Sequence, residues 1–177
     1  MRCLIKPKKK LNLPQIPNST ISVAVHVRKG GGYDAPLFSK TVQYADQRWP
    51  LKFPPDDYYI EQIKKIAHQY KHHYLYCYIF TDDQQPIAIM ERYKKKLNNP
   101  RIHFDCRKGT NSHKLNVLED LFNMTRFDCL IRPSSSYSTI AQLLNNFIIV
   151  IHPMHYVWSG EKLIIDHVEV LLNTKKQ

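Results

Sequence analysis

His26 and Arg28 stand two residues apart at the end of a β-branched run, and three glycines, Gly30-Gly31-Gly32, follow. Side chains alternate along a strand, so Ala24, His26 and Arg28 share one face and Val23, Val25 and Val27 the other. An arginine at such a rim offers a forked, permanently charged contact to phosphate oxygens. Bare glycine backbone beside it lets a ligand come close. Asp82-Asp83 close a later apolar run, and Ser134-Ser135-Ser136 open a later stretch of helical character. Free N–H groups and the dipole of a helix start favour an anion. Arg28, the serines and that helix start would therefore make a metal-free cradle for a pyrophosphate. Each residue also has a plainer use. Arg28 fits a surface ion pair, His26 a hydrogen-bonded core histidine, and the serines an N-cap. Asp82-Asp83 fits a cap, a metal ligand, or an acceptor for a base or sugar.

These residues need elements to hold them. Ser22–Val27 reads as a first strand, and Asp56-Asp57 open a helix after Pro54-Pro55, with Ile60, Ile63, Ala67 and Tyr70 as its apolar stripe. Leu75–Phe80 is a second strand, Pro86–Leu97 a second helix with Ile89, Tyr93 and Leu97 on one face, and Arg101–Asp105 a third strand. A third helix is expected over Ser112–Phe127 with Leu115, Leu118, Leu121, Phe122 and Thr125 inward. A fourth strand follows at Asp128–Ile131. A fourth helix is expected over Pro133–Asn146, with Ile140, Leu143 and Leu144 inward, and a fifth strand at Phe147–Ile151. Leu163–Leu172 has no clear type. Gly30–Pro55 is too long for an idle connection and reads as functional or as holding short elements of its own.

Strand and helix alternate in units of about 20–30 residues, the rhythm of a parallel α/β sheet. The expected fold is one Rossmann-like domain over residues 21–177. It has a mostly parallel sheet of about five strands with helices on both faces. Residues 1–20 form a basic, proline-containing leader, expected to be poorly ordered. Ligands of such sheets lie outside the carboxyl ends of the strands. The residues there are His26-Val27-Arg28, Thr81-Asp82-Asp83, Asp105-Cys106-Arg107 and Arg132-Pro133-Ser134.

A hydrophobic content of 43% with 20 aromatic residues excludes a disordered chain. A net charge of +11 points to an anionic partner, whether nucleotide, nucleic acid or acidic surface. Cys3, Cys77, Cys106 and Cys129 form no C-x-x-C pair and read as free thiols of a reducing compartment. No Sec signal and no run of membrane-spanning length is visible, so a cytoplasmic location is the default expectation. Neither a Walker motif, nor G-x-G-x-x-G, nor H-E-x-x-H occurs, and His152 and His155 stand too isolated to read as a metal site.

The joint pattern says more than its parts. His26-Val27-Arg28-Lys29-Gly30, Ile79-Phe80-Thr81-Asp82-Asp83 and Ser134-Ser135-Ser136-Tyr137-Ser138 come in the order and rough spacing of a known family. They resemble the C-terminal, donor-binding half of the fucosyltransferase superfamily that makes α1,2-, core α1,6- and protein O-fucose linkages, over about Ser22–Ile151. The resemblance implies that Arg28 holds the donor pyrophosphate, that His26 and Asp82 meet the guanine, with Asp83 beside them, and that Ser134, Ser135 and Ser136 meet the β-phosphate. It implies an inverting transfer that needs no metal and no cofactor, with GDP-fucose as donor substrate. The pattern departs from the family in two places. Lys29 replaces a second Arg, and Gly31 stands where the family has Asp, whose role passes to Asp34 if it survives. Only the donor half is matched, so a second polypeptide supplying the acceptor half is one expected partner. A glycan or protein acceptor is another.

The expected function is therefore binding of GDP-fucose or a related nucleotide sugar. If the chain is active, the sugar passes to an acceptor hydroxyl with Arg28, His26 and Asp34 as the catalytic set. The alternatives are a nucleotide-binding regulatory module without turnover and a basic nucleic-acid-binding domain using Lys94–Lys96. A different phosphate-handling α/β enzyme would show the same strand-end chemistry by convergence.

Overall fold

The computed structural model describes residues 5, 7, 11, 12, 14–29, 48–112 and 114–173. Six strands alternate with four helices: β1 (Thr20–Val27), α1 (Asp56–Gln69), β2 (Tyr74–Thr81), α2 (Pro86–Leu97), β3 (Ile102–Cys106), α3 (Val117–Met124), β4 (Cys129–Ile131), α4 (Ser136–Leu144), β5 (Ile149–Ser159) and β6 (Lys162–Leu172). The strands form one sheet in the order β3-β2-β1-β4-β5-β6. β1 to β5 run parallel, and β6 returns antiparallel beside β5.

The two faces of the sheet follow from the alternation of side chains. Val23, Val25 and Val27 of β1 join Leu75, Cys77 and Ile79 of β2 in a core covered by Tyr59, Ile63 and Ile66 of α1 and Ile89 and Tyr93 of α2. Ala24, Tyr76, Tyr78, Phe80 and Leu130 point the other way and meet Leu121 and Met124 of α3 and Ala141 of α4. Two helices thus lie on each face, as right-handed crossovers between parallel strands require. Ile16 packs against the second cluster, so the stretch before β1 lies on the α3–α4 layer. Among the described residues no helix is long and apolar enough to cross a membrane.

The α3–α4 layer differs most from expectation. α3 starts at Val117, not Ser112, because Asn116 takes the left-handed conformation (φ 60°) and breaks the helix N-terminal to it. Leu115 and Leu118, expected inward, are exposed. α4 starts at Ser136, since Ser135 is extended, and it turns Ser138 and Ala141 to the core. Ile140 and Leu143, expected inward, face out. The small Ser138 and Ala141 let this helix lie close to the sheet, which a leucine stripe would not. The fifth strand runs on to Ser159, and the segment of unclear type is β6, which brings the mostly parallel sheet to six strands. The two-residue loop Gly160-Glu161 joins them with φ 60° at Gly160, where type II′ hairpin turns place glycine.

Cys77, Cys106 and Cys129 are buried thiols outside any disulfide. Burial pushes the Cys77 thiol well up and the Cys106 thiol up to about 11, so both stay protonated at neutral pH.

Candidate functional site

The strand order reverses direction between β1 and β4, because β1 crosses to β2 on one side while β4 lies on the other. A crevice opens at such a point beyond the carboxyl ends. The end of β1 supplies His26 and Arg28, that of β2 Thr81 and Asp82, and that of β4 leads through Pro133 to the start of α4.

A cleft of about 250 Å³ fills this crevice. His26, Arg28, Phe80, Thr81, Asp82 and Ser135 line its floor, and Ser112, Leu115, Val117, Asp120 and Tyr137 its α3–α4 wall. A second, adjoining cavity of about 600 Å³ shares Arg28 and Tyr137 and adds Ser134 and Ser136. Of the residues singled out from the sequence, His26, Arg28, Asp82 and Ser135 therefore meet in one cleft, and Ser134 and Ser136 stand next door across Arg28. Asp83 does not line either cavity: its Oδ1 accepts the Gln85 N–H at 2.6 Å and shapes the entry to α2. Asp34 and the three glycines lie outside the described residues.

The scaffold under the site is tied together by buried polar contacts. Asp82 Oδ1 accepts the Lys29 N–H at 2.8 Å, which joins the ends of β1 and β2. Asn111 Nδ2 donates to the carbonyls of Thr81 and Asp83, at 2.5 and 2.7 Å. Tyr58 of α1 donates its hydroxyl to the Arg132 carbonyl at 2.9 Å. Below them, Asp56 gathers the Lys29 ammonium at 2.8 Å, the Arg92 guanidinium at 2.7 Å and the Tyr93 hydroxyl at 3.0 Å. Lys29 is thus turned away from the cleft into this network. Burial pulls its ammonium down, against the opposing pull of Asp56, while Lys29 and Arg92 together outweigh burial and hold the Asp56 carboxyl low.

Arg28 is set from below. Its guanidinium lies 5.3 Å from the centroid of the fully buried Phe53 ring, within cation–π range. Phe53 is itself fixed by a turn in which the N–H groups of Lys52 and Phe53 both donate to the Trp49 carbonyl at 2.9 Å. The Leu51 carbonyl accepts the Ser134 N–H at 2.8 Å, so this turn is pinned to the approach to α4.

Two atoms in the cleft have no partner among the described residues. His26 is buried, and its Nδ1 makes no hydrogen bond. Burial first, then the charges of Arg28 and Arg132, lower its pKa to about 3, so the ring is neutral at physiological pH. Ser135 occupies the N-cap position of α4, but its Oγ makes no cap bond; it is buried and without a partner. Both atoms line the cleft, where a bound group can supply the hydrogen bonds that buried polar groups ordinarily make. Tyr137 holds its ring tilted against that of His26, with centroids 5.4 Å apart, and donates its hydroxyl to the Val117 carbonyl. It was part of the serine motif, and its aromatic type was the only signal that it closes the cleft.

Two strand-end arginines are not available to an anion in the cleft. Arg107 is held by Glu119 at 2.8 Å and Asp120 at 2.5 Å. Burial nevertheless pushes the Asp120 carboxyl up to about 6. Arg132 is buried, and its Nε donates to Gln142 Oε1 at 2.8 Å. Away from the site, His152 pairs with Glu169 and His155 with Asp166 across the β5–β6 arm. The lysines of α2 are also engaged, Lys96 with Asp57 at 2.7 Å and Lys94 with Glu91 at 4.0 Å.

No protein-family model matches this chain, and no curated protein does. Solved structures do. The chain is similar to NodZ α-1,6-fucosyltransferase soaked with GDP-fucose, at 15% identity and a TM-score of 0.46 over 88% of this chain and 44% of that one. It is similar to fucosyltransferase NodZ from Bradyrhizobium, in a selenomethionine form, at 14% identity and a TM-score of 0.45 over 88% and 43%. POFUT1 in complex with GDP-fucose aligns at 15% identity and a TM-score of 0.47 over 69% and 36%. The chain spans less than half the length of each of these proteins.

Proposed function

We propose that this chain binds GDP-fucose or a related nucleotide sugar in the cleft at the carboxyl ends of β1, β2 and β4. The observation that carries the reading is a pair of buried atoms, His26 Nδ1 and Ser135 Oγ, that have no partner among the described residues and line one cleft together with Arg28. The base lies on the His26, Asp82 and Tyr137 side. The diphosphate lies at the α4 N-terminus against Arg28 and Ser134–Ser136, where a guanidinium and free N–H groups meet its charge.

Where transfer occurs, the acceptor hydroxyl oxygen attacks the anomeric carbon from the face opposite the leaving group. The bond from that carbon to the diphosphate breaks, and its electron pair stays on the β-phosphate oxygen. The acceptor proton passes to a base. Arg28 stabilises the leaving diphosphate without a metal. A histidine whose pKa lies near 3 is a poor base at neutral pH, so His26 serves as a hydrogen-bonding partner of the base and the proton falls to Asp34. Gly31 at the place of the family's acid favours a second reading, nucleotide binding without turnover.

Calorimetric titration with GDP, with and without EDTA, tests the binding. A 1:1 complex is expected, unchanged by EDTA and weakened at least about tenfold in Arg28→Ala, the order of a lost charge-assisted contact. No binding, or equal binding by the variant, overturns it. Transfer assays with GDP-fucose and a glycan panel then separate the two readings.

A further inference from the structure

Arg132 is the first residue after β4, and its surroundings do not match its charge. Side chains alternate along β4, so Leu130 joins Ala24 in the α3–α4 core and Ile131 joins Val25 in the other. Arg132 therefore lies on the face that carries Leu130, His26 and the cleft. Gln142 of α4 meets it there, and it is only 7% exposed. Its Nε donates to Gln142 Oε1 at 2.8 Å, and its guanidinium also donates to the Pro133 carbonyl at 3.2 Å. Both acceptors are neutral. Among the described residues no carboxylate pairs with it: Glu169 of β6 acts on it from beyond contact and is held by His152 at 2.6 Å. The donors of Arg132 are thus engaged while its charge is not neutralised. Such a cation is costly to bury, and arginine does not escape the cost by losing its proton. Its charge also reaches the cleft floor, where with Arg28 it adds to the burial that keeps His26 neutral. In the chain it leads directly through Pro133 to Ser134–Ser136 at the start of α4.

We propose that Arg132 is a remote electrostatic residue of the diphosphate site: it touches no ligand, and its buried, uncompensated charge strengthens the hold on the anionic part of the nucleotide. The inference rests on the donor reading above. Arg28 contacts the phosphates, and Arg132 adds a second positive charge behind the helix start, in an interior where charges act over longer range than in water. The bound anion supplies the counter-charge that the folded chain lacks. Removing the charge of Arg132 should therefore leave the fold as stable or more so while it weakens binding, a combination that a residue kept for structure does not give.

Calorimetry with GDP and with guanosine, on the full chain, compares the wild type with Arg132→Gln, Arg132→Met and Arg132→Lys. Glutamine keeps a donor for Gln142 and methionine keeps apolar bulk, and neither carries a charge. Both neutral variants are expected to lose at least about threefold in GDP affinity, the order of a partly screened through-space interaction. Guanosine affinity should hold within about twofold in both, and Arg132→Lys should hold GDP affinity within about twofold because it keeps the charge. Thermal melts without ligand should place the neutral variants at or above the wild type. GDP affinity unchanged in either neutral variant, an equal loss for guanosine, or a loss in Arg132→Lys as large as in Arg132→Gln overturns the inference. Neutral variants that melt well below the wild type, or do not fold, make Arg132 a structural tie and overturn it too. In each of those outcomes the wild type still binds GDP and the donor reading stands. If the wild type itself binds no GDP, the donor reading falls and takes this inference with it.

Discussion

Ser135 and His26 carry opposite obligations in folding and in binding. The Ser135 hydroxyl is buried with no partner among the described residues, which give it little to contribute to folding. Ser135→Ala should change unfolding free energy by less than about 0.5 kcal/mol, or stabilise the fold, while weakening GDP binding about tenfold, since a hydrogen bond to a charged group is worth about 1.5–3 kcal/mol. Urea unfolding and calorimetry on one preparation read both. His26 gives a pH dependence with a definite sign. Its folded pKa, about 3, lies below the unfolded 6.5, so between those values the unfolded chain binds a proton that the folded chain does not. Stability therefore falls as the pH falls from 6.5. His26→Asn should flatten that loss by about 2 kcal/mol at pH 5, in denaturant unfolding at pH 7 and pH 5. At this scale the sequence was a good guide to position and a poor one to role. That His26 and Arg28 share a face follows from alternation alone. That Lys29 turns down to Asp56, and that Arg107 and Arg132 are consumed by partners, depends on side chains from α1, α3 and α4 that no local pattern connects to them.

The elements that position the site differ in how openly the sequence shows them. α2 falls where its apolar spacing puts it, and the parallel strands are short β-branched or aromatic runs closed by polar residues. α3 and α4 are shorter than their patterns suggest, because Asn116 and Ser135 take backbone conformations outside the helical region. Those departures place Ser112 and Leu115 on the cleft wall and leave Ser135 as part of its floor. The buried network at the start of α1 is the strongest tie between the β1 end and the helices. Asp56→Ala takes away the carboxylate that serves Lys29, Arg92 and Tyr93, and it should destabilise the fold by about 3–5 kcal/mol, the cost of breaking a buried ion pair from one side. Chemical denaturation measures this; a loss below about 1 kcal/mol would show that the network is not a structural tie. Gly160 is the one glycine described at positive φ, and Gly160→Val should loosen the β5–β6 arm at a cost of about 1 kcal/mol while leaving the cleft intact.

For the molecule as a whole, the topology decides where chemistry gathers. A sheet ordered β3-β2-β1-β4-β5-β6 opens one crevice between β1 and β4, and residues far apart in the chain converge there from three strand ends. The chain's net charge of +11 suits an anionic ligand. GDP affinity should fall severalfold as salt rises from about 0.05 to about 0.5 M, as screening shortens the Debye length, whereas guanosine affinity should hardly move. The sequence foretold a mostly parallel α/β sheet with polar strand ends; it did not foretell the antiparallel β6 or the second cavity, which arises only where the turn at 49–53 meets α4 and β5. The central claim is that this crevice holds a nucleoside diphosphate, and a crystal structure of the chain soaked with GDP tests it most directly. The account predicts phosphates between Arg28 and Ser134–Ser136 at the α4 N-terminus, with the base reaching His26 Nδ1 and lying near Tyr137. Density for GDP at any other surface, or an unchanged cleft at saturating GDP, would contradict it.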